Sequence, residues 1–595
     1  MTDSAADPTR KNAPDRARGA AFPPADFHPA FAARQGDAAG ARLAVIAIVF
    51  IILLPILALA YQATGDSAGV WPHLISYVLP SSVTTTLILL AGVGLGTLAI
   101  GTVTAWLVSR YRFPLSGVFS WALVLPLATP TYLVAYTWVE FSDYTGPVQG
   151  LVRALFGYSS SRDYWFPDIR STGGAIFLLS LVLFPYVYLP ARLTFLAQGH
   201  SMLDVARVLG AGPFKLFFRV ALPAARPAVA VGMLLALMET LNDIGAVEYL
   251  GVRTVTFSVF DTWLNRSSLA GAAQLSLALL AFVVLLTVAE RHLRRQQAYF
   301  EPRQSTHGYE PQALSGWRGL AAMLVCLAPI AAGFAVPVFE MVASTLAHPA
   351  QLTRGQLLSA SLNSVAVACG TAIVCVATAF VLIQAKRLSL SPVIRWLTSM
   401  TAFGYAVPGT VLAIGVLTAF TAFDNQVSAL WQSLTGERSG LLLSGSMAIV
   451  IFACSVRFLA MATGNIEAGY ARLTPNLAAA SRALGRTATQ TVMQVELPIL
   501  TKTLALAGLL VLVETMKELS ATLLLRPFNF DTLATYVYTQ ASRALFEQAA
   551  FAALLIVLIG LVPVYVLTRI FISGHLVGAR RKKNTDPAGS VVKDF

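Results

Sequence analysis

Charged residues are scarce in this chain. Asp, Glu, Lys and Arg together make up 12% of its 595 residues, and 56% of the residues are hydrophobic. The mean hydropathy is +0.68. A typical soluble domain carries about twice that share of charge. The composition therefore excludes an ordinary soluble protein and indicates a chain that lies mostly in a lipid bilayer.

Cysteine is also rare, and histidine shows no grouping. All of the cysteines lie in or beside apolar runs, where we interpret them as small buried hydrophobic residues rather than disulfide partners or metal ligands. They are Cys326, Cys369, Cys375 and Cys454. The seven histidines form no ligand-like cluster. We therefore predict no resident metal or cofactor in this chain.

A further absence concerns catalysis. The sequence contains no G-x-x-x-x-G-K-[ST] segment, the loop that holds nucleotide phosphates in many ATPases. The apolar runs also contain no nucleophile–base pair and no set of metal ligands. We predict that this chain alone is not an enzyme.

Acidic residues are outnumbered by basic ones, 29 to 42, which gives a net charge of +13. Such an excess would suit a nucleic-acid partner, but most of it lies in the N-terminal tail and in alternate loops between the apolar runs. That placement is the positive-inside bias of membrane proteins. We predict that both termini are cytoplasmic and that nucleic acid is not a partner.

Long apolar runs are abundant. Each is near the 20 residues that cross a bilayer as a helix, and they predict an all-α integral membrane protein with about 12 transmembrane helices. The predicted spans are 43–62, 84–109, 116–139, 175–196, 227–248, 273–290, 318–342, 361–384, 393–420, 441–463, 502–523 and 551–569. We call the fifth and the eleventh of them span 5 and span 11.

The chain repeats itself. Gly210 and Gly485, Pro223 and Pro498, and Glu239 and Glu514 are each 275 positions apart. Six spans separate the matched positions, and an even number makes the two halves run in the same direction, unlike inverted repeats. The sequence therefore predicts two parallel six-helix units.

The repeat defines the predicted domains. Unit 1 covers 43–290, a basic cytoplasmic linker covers 291–317, and unit 2 covers 318–573. The N-terminal segment 1–42 is predicted to be a disordered cytoplasmic tail, and 574–595 a basic cytoplasmic one. We expect the first span to be a retained anchor rather than a cleaved signal.

A polar insert precedes span 5 in one unit and span 11 in the other, at 200–223 and 474–498. In the first insert Ser201 and Asp204 predict a helix start, and Gly210 predicts its end in a left-handed conformation. In the second, Thr474 and Pro475 predict the start and Gly485 the end.

A second short helix is predicted in each insert, beginning at Pro213 in one and at the Thr487/Gln490 capping pair in the other. Leu222-Pro223 and Leu497-Pro498 are then predicted to turn the chain back into the membrane. The alternative interpretation is that the inserts form amphipathic surface helices that have no specific function.

The spacing in the first insert is acid-x-Ala-x-x-x-Gly, nine residues, then aliphatic-x-Leu-Pro, and the second insert keeps the same Gly-to-Leu-Pro spacing. It resembles the EAA loop in permease subunits of bacterial binding-protein-dependent ABC importers, and we call the inserts the first and second coupling loops. The first has Asp204 where the family has Glu, and the second has Ala479, so the resemblance predicts unequal coupling. The matched positions are Asp204, Ala206, Gly210, Leu222, Pro223, Ala479, Ala480, Gly485, Leu497 and Pro498.

The resemblance implies partners. Two copies of an ATP-binding subunit would dock on the two loops and would bind the ATP and Mg²⁺ that this chain does not. A periplasmic binding protein would deliver the substrate to the outer face of the bacterial inner membrane, and the external segment 140–173 is the best docking candidate. ATP binding would turn the permease outward, and hydrolysis would reset it.

The substrate is also inferred from resemblance. The fusion of two units, with "METLNDIGAVEYLGV" in one and "YAVPGTVLAIG" in the other, is similar to the ferric-iron permeases. Thiamine permeases are also fused, and 2-aminoethylphosphonate permeases are related, so both remain alternatives. An ion-gradient-driven secondary transporter with intramembrane proton sites is the alternative from another class.

Both matched spans carry acids. Glu239 and Asp243 are predicted one helical turn apart in span 5, and Glu514 and Glu518 repeat this spacing in span 11 beside Lys517. Ionisable groups inside a bilayer usually face the bundle interior or water.

These acids have two interpretations. They brace the helices through ion pairs with Lys517, or they line a translocation path whose oxygen atoms suit a hard cation such as Fe³⁺. In the second case Asp243 and Glu518 would contact the cation transiently, and no stable metal site is predicted. Pro130 and Pro408 are predicted to kink their spans.

Overall fold

The computed structural model describes residues 35–67, 69–198, 200–298, 311–349, 355–389 and 391–583. The helices of unit 1, including short 3₁₀ and π segments, are Gln35–Gln62, Val70–His73, Leu74–Val78 (π), Leu79–Arg110, Ser116–Ala122, Leu125–Ala128 (3₁₀), Thr131–Ser142, Pro147–Phe156, Thr172–Leu183, Pro185–Ala197, His200–Val208, Pro213–Leu216, Phe217–Ala221 (π), Leu222–Asn242, Gly245–Tyr249, Val255–Leu264 and Leu269–Ala298.

Unit 2 repeats this order with different helix lengths. Its helices are Gly316–Ile330, Ala331–Ala335 (π), Val336–Ala347, Gly355–Leu388, Pro392–Met400, Thr401–Ala406 (3₁₀), Gly409–Thr435, Met447–Tyr470, Pro475–Ala483, Ala488–Thr491, Val492–Glu496 (π), Leu497–Lys517, Ser520–Leu525, Leu533–Ser542 and Phe546–Lys583.

Strand structure is minimal in the described ranges. Tyr111–Arg112 pairs in parallel with Gln312–Ala313, and the N–H of Leu314 donates to the carbonyl oxygen of Arg112 at 2.8 Å. This short bridge ties the end of the predicted linker to unit 1.

The membrane-spanning helices confirm the predicted fold class. Ten helices of the described chain are long and apolar enough to cross a membrane, and there are twelve if each of two bent pairs forms one span. The bent pairs are Ser116–Ala128 with Thr131–Phe156, at 92°, and Thr172–Leu183 with Pro185–Ala197, at 42°. Counted this way, each unit has six spans.

Several predicted boundaries shift. The first helix begins at Gln35, so 35–42 is helical rather than part of a disordered tail, whereas 1–34 lies outside the described residues. The last helix continues to Lys583 into the predicted tail, and 584–595 lies outside the described residues. Helix Leu269–Ala298 extends into the predicted linker, of which 299–310 is not described.

The two prolines were predicted to kink their spans, and each stands instead at a break between two helical segments. Pro130 and Pro408 each stand just before a helix with ψ near 140°, after a 3₁₀ segment. Since proline fixes φ and has no N–H, it suits the start of a helix. The break in unit 2 moves the spanning helix to Gly409–Thr435, so the predicted span 393–420 was placed too early.

The two units interlock at their ends. Helix Gln35–Gln62 of unit 1 packs on helix Gly409–Thr435 of unit 2, and a Cβ on Gly415 would lie 2.2 Å from the Pro55 carbonyl oxygen. In return, Gly560 of the last helix approaches unit 1 so closely that a Cβ would lie 2.2 Å from the Ala128 carbonyl oxygen. Glycine is needed at both crossings because the backbones touch.

Candidate functional site

The acid-bearing ends of span 5 and span 11 meet at one cavity of about 140 Å³ between the two units. Side chains from both prolyl breaks also reach it. Its lining is Leu127, Thr129, Pro130, Thr131, Tyr132, Val182, Leu183, Tyr186, Glu239, Asn242, Asp243, Gly245, Tyr405, Arg457, Phe458, Glu514, Lys517, Glu518, Leu519 and Ser520. The structure thus brings all five predicted path residues together.

Span 5 breaks where the sequence predicted a continuous helix. The helix ends at Asn242, and Asp243 has an extended backbone with φ −81° and ψ 108°. Asp243 Oδ1 accepts the N–H of Ala246 at 2.9 Å, at the start of the short helix Gly245–Tyr249. The prediction that Glu239 and Asp243 share one helical face was therefore wrong, because Asp243 follows the end of the helix.

Span 11 breaks in the same way. Its helix ends at Lys517, and Glu518 has φ −70° and ψ 124°. Glu518 accepts the N–H groups of Ala521 at 2.8 Å and Thr522 at 2.9 Å, together with the Thr522 hydroxyl. A carboxylate at the N-terminus of a helix satisfies N–H groups that lack a helical partner. The acid therefore has the same capping role in both units.

The two breaks touch each other. The Ser520 hydroxyl donates to the carbonyl oxygen of Asn242 at 3.2 Å, and a Cβ on Gly245 would lie 2.6 Å from Leu519 Cδ2. The end of the span 5 helix is thus completed by a group from span 11. The two breaks are therefore in direct contact beside the cavity that Asp243 and Glu518 line.

Both basic side chains of the cavity pair with acids of unit 2. Arg457 lies 3.1 Å from Glu518, and Lys517 lies 2.8 Å from Glu514. Lys517 pairs with Glu514 three positions earlier on the same helix, so this ion pair does not join two helices, and the partner of Glu518 is Arg457. The sequence analysis named Lys517 and missed Arg457, although Arg457 lies inside the predicted span 441–463. The feature that could have identified Arg457 is its position as a lone arginine inside the apolar run "IVIFACSVRFLAMA".

A tyrosine was missed as well. Tyr405, in the 3₁₀ segment before Pro408, donates its hydroxyl to Glu239 at 2.6 Å. Glu239 belongs to unit 1 and Tyr405 to unit 2, so this hydrogen bond crosses the interface. A buried tyrosine normally finds such a partner.

The cavity is not a closed metal centre. In the described ranges no group of three or more His, Cys, Asp or Glu side chains is arranged to hold a metal ion. What the cavity offers is oxygen atoms from acids, amides and hydroxyls, together with two basic groups already paired. Such a lining suits brief contact with a polar or charged substrate more than storage.

The two coupling loops have the same helix ending. Helix His200–Val208 is followed by Gly210 at φ +80°, and helix Pro475–Ala483 by Gly485 at φ +84°. The N–H of Gly210 donates to the Arg207 carbonyl oxygen, and the N–H of Gly485 donates to that of Arg482, each at 2.9 Å. Both glycines therefore take the predicted left-handed conformation.

Of the other local predictions for the loops, some agree with the structure and others do not. The Thr487/Gln490 capping box is present. Thr474 stands at the helix start with Pro475 at the first helical position, but its side chain makes no capping hydrogen bond. Ser201 was predicted to cap its helix, and this was wrong because the helix already begins at His200.

The Leu-Pro pairs do not turn the chain. Continuous helical segments run over 213–242 and 488–517, and a π segment lies just before each pair, at Phe217–Ala221 and Val492–Glu496. Proline in a helix leaves one carbonyl without its donor and crowds it. A π turn relieves this crowding, so Pro223 and Pro498 mark a widened helical turn rather than a corner.

The loops present apolar side chains. Val208 is 87% exposed, Leu209 81% and Phe214 80% in the first loop, and Leu484 is 82% exposed in the second. Ala479 and Ala480 are exposed and Ala206 is half-buried, whereas the side chain of Asp204 lies outside the described part. A contiguous apolar patch beside polar residues is typical of a protein interface.

Segment 140–173, which was predicted to be external, is ordered by its own contacts. Helix Pro147–Phe156 is followed by a turn in which Asp163 accepts the N–H groups of Ser160 at 2.8 Å and Ser159 at 3.0 Å. These hydrogen bonds hold the pKa of Asp163 below its usual value. The segment therefore has a defined shape and an ionised acid.

Known proteins resemble this chain. Residues 97–303 match the family model described as binding-protein-dependent transport system inner membrane component. The chain is 26% identical over 488 residues to the Fe(3+)-transport system permease protein FbpB 2 of Haemophilus influenzae, which covers 81% of this chain and 88% of that protein.

Two further relatives match over shorter segments. The molybdenum transport system permease protein ModB of Azotobacter vinelandii is 29% identical over 171 residues, 28% of this chain and 72% of its own. The putative 2-aminoethylphosphonate transport system permease protein PhnU of Salmonella typhimurium is 27% identical over 186 residues, 31% of this chain and 64% of its own.

The resemblance stated from the coupling loops is thereby confirmed. The chain is similar to permease subunits of binding-protein-dependent importers, over residues 97–303 in the family model and over 81% of its length in the Fe(3+)-transport relative. The family described is one of transport permeases rather than enzymes.

Proposed function

We propose that this chain is the translocation subunit of an ATP-driven importer for ferric iron, and that iron passes through the cavity between the two units. The main observation in support is the charge of that cavity, which is lined by four carboxylates (Glu239, Asp243, Glu514, Glu518) and two basic side chains (Arg457, Lys517). An excess of carboxylates in a partly buried cavity favours a cation over an anion. Hard cations such as Fe³⁺ prefer oxygen ligands.

The range of the similarities supports the same substrate. The relative named for Fe(3+) transport matches 81% of this chain, whereas those named for molybdenum and 2-aminoethylphosphonate match about a third or less. A phosphonate carries negative charge and would be repelled by the surplus carboxylates. Its transport would call for a cavity with more basic than acidic groups.

Energy for transport would come from partner subunits. Two copies of an ATP-binding subunit would dock on the two coupling loops, whose exposed apolar residues Val208, Leu209 and Leu484 suit a protein interface. Those subunits would bind the ATP and Mg²⁺, and this chain would carry out no catalysis. The second short helix of each coupling loop is continuous with the helix that ends at the cavity, over 213–242 and 488–517, so motion of the loop would be transmitted along one helical segment.

Delivery would occur from the opposite side. A periplasmic binding protein would dock on the external face, including segment 140–173, and the chain would lie in a bacterial inner membrane with both termini cytoplasmic. No stable metal site is required, because a site that held iron firmly would not release it.

The test is uptake by the reconstituted complex. The chain, its ATP-binding subunit and its binding protein are placed in proteoliposomes, and uptake of radioactive Fe³⁺, molybdate, thiamine and 2-aminoethylphosphonate is compared. We expect uptake of iron that requires ATP in the lumen. Uptake of another substrate instead of iron would contradict the substrate, and uptake driven by an ion gradient without ATP would favour a secondary transporter.

A further inference from the structure

The two units contribute unequally to the cavity, although their acids match. In unit 2 the acids have basic partners, Arg457 and Lys517. At the positions 275 residues earlier, unit 1 has Val182 and Asn242, which are neutral. The unit 1 side of the cavity therefore has an acid without a cation of its own.

The hydrogen bonds show the same difference. Both oxygens of Glu518 are occupied, by Arg457 and by the groups of Ala521 and Thr522. Asp243 uses Oδ1 to accept from Ala246, but its buried Oδ2 has no hydrogen-bond partner, and no ion pair joins it within the described ranges. A buried carboxylate oxygen without a partner is costly, unless something else binds it.

Three neighbouring side chains also have a buried polar atom without a hydrogen-bond partner. Thr129, Tyr132 and Asn242 are 1%, 4% and 4% exposed, and all three line the cavity. The Oγ1 of Thr129, the hydroxyl oxygen of Tyr132 and the Oδ1 of Asn242 have no hydrogen-bond partner in the described part of the chain. Unpartnered buried polar atoms are rare in proteins, so a group of them on one wall calls for an occupant.

We propose that this wall, formed by Asp243, Asn242, Thr129 and Tyr132, is the transient contact site for a hard trivalent cation during translocation, and that Glu518 is a brace. The proposal rests on the proposed iron transport and narrows it to one unit. All four groups offer oxygen, the donor type that hard cations take. Only one is a carboxylate, so the cation would be held weakly and released.

The unit 2 wall lacks this chemistry. Arg457 repels a cation and keeps Glu518 occupied, so a cation entering the cavity is attracted to Asp243. Water filling the cavity would also satisfy the unpartnered oxygens. A cation site and a water-filled cavity are distinguished by whether the removal of one of these oxygen atoms lowers iron uptake.

The experiment compares isosteric variants in the full reconstituted complex, with Fe³⁺ supplied on the binding protein. Asp243→Asn is expected to lower iron uptake roughly tenfold, and Thr129→Val and Tyr132→Phe several-fold, the effect of losing one polar contact. ATPase activity stimulated by the binding protein should persist in all three variants. Thermal unfolding of each variant in detergent serves as the check on folding.

Thr410→Val is the matched control. Its hydroxyl is also buried and without a partner, in the corresponding segment of unit 2, but Thr410 does not line the cavity. We expect this variant to take up iron like wild type. Equal loss in Thr129→Val and Thr410→Val would overturn the proposal, as would unchanged uptake in Asp243→Asn, which is the result expected if only water fills the wall.

Failure of the proposed contact site and failure of proposed iron transport would give different results. Iron uptake by wild type together with full uptake by Asp243→Asn rejects the contact site and leaves iron transport standing. Absence of iron uptake by wild type, with another substrate carried, rejects both.

Discussion

The guanidinium of Arg387 lies 2.8 Å from the carboxylate of Glu496, immediately before the Leu-Pro pair that begins span 11. A second contact of 3.3 Å makes the pair bidentate, and Arg387 also stacks 4.1 Å above the ring of Tyr470. Unit 1 has Ala221 and Phe195 at the positions that match Glu496 and Tyr470. The Arg387–Glu496 pair at the junction between coupling loop and span is therefore not repeated at these positions of unit 1, where Arg110 instead donates to the carbonyl oxygen of Phe195 at 2.9 Å.

The first prediction tests this junction. Glu496 is buried, so Glu496→Gln leaves the charge of Arg387 without compensation and should lower the free energy of unfolding by about 3 kcal/mol. The control is Glu467→Gln, which removes the neighbouring Lys386–Glu467 pair, whose Glu side chain is 54% exposed. An exposed pair contributes about 0–1 kcal/mol. Thermal unfolding in detergent measures both, and equal losses would contradict the prediction.

The second prediction concerns the end of the first coupling helix. Gly210→Val should impair iron uptake and ATPase stimulation, because φ +80° costs a β-branched residue on the order of 1–2 kcal/mol. Nothing lies within 4 Å of the added Cβ, so the loss is conformational rather than steric. Gly210→Asn should retain more activity, since asparagine tolerates this conformation.

Gly212→Val is the control for that prediction. Gly212 also has open space around it, but its φ is −66°, which valine adopts without strain. We expect wild-type coupling in this variant. Equal impairment in the Gly210 and Gly212 variants would show that the added side chain, not the backbone, is at fault.

The third prediction concerns the unequal loops. Asp204→Ala should weaken binding of the ATP-binding subunit more than Ala479→Glu strengthens it, because Ala479 is exposed on a loop that we propose to dock without an acid. Retention of the ATP-binding subunit on immobilised permease measures both variants. If Asp204→Ala retains as much subunit as wild type, the asymmetry lies elsewhere in the loops.

The repeat in the sequence predicted much of this site. Gly210 and Gly485 ended their helices as expected because a left-handed glycine is a local preference that needs no tertiary contact. The equal offset of Glu239 and Glu514 placed the acids of both units at one depth. In the structure these acids line one cavity between the units.

What the sequence did not predict depends on contacts between distant segments. Arg457 comes from another span, and no local pattern pairs it with Glu518. The helix breaks at Asp243 and Glu518 are completed across the interface, through Ser520 and the carbonyl oxygen of Asn242. Hydropathy treats these residues as the continuation of an apolar run, because it contains no information on which hydrogen bonds a neighbouring span supplies.

The last prediction separates brace from path at Glu518. Glu518→Gln should lower the free energy of unfolding by about 3–5 kcal/mol, because Arg457, whose side chain is 10% exposed, would keep a buried charge without its partner. Adding Arg457→Met should restore most of that stability, since this change removes the buried charge that has lost its partner. Adding Lys517→Met instead should restore nothing, because Lys517 pairs with Glu514. Asp243→Asn, at the matching position without a cation, should be destabilised far less than Glu518→Gln. Thermal unfolding of the four variants beside wild type in one detergent decides the matter. Equal stability of Glu518→Gln and wild type, or rescue by Lys517→Met, would contradict the assignment of Glu518 as the partner of Arg457.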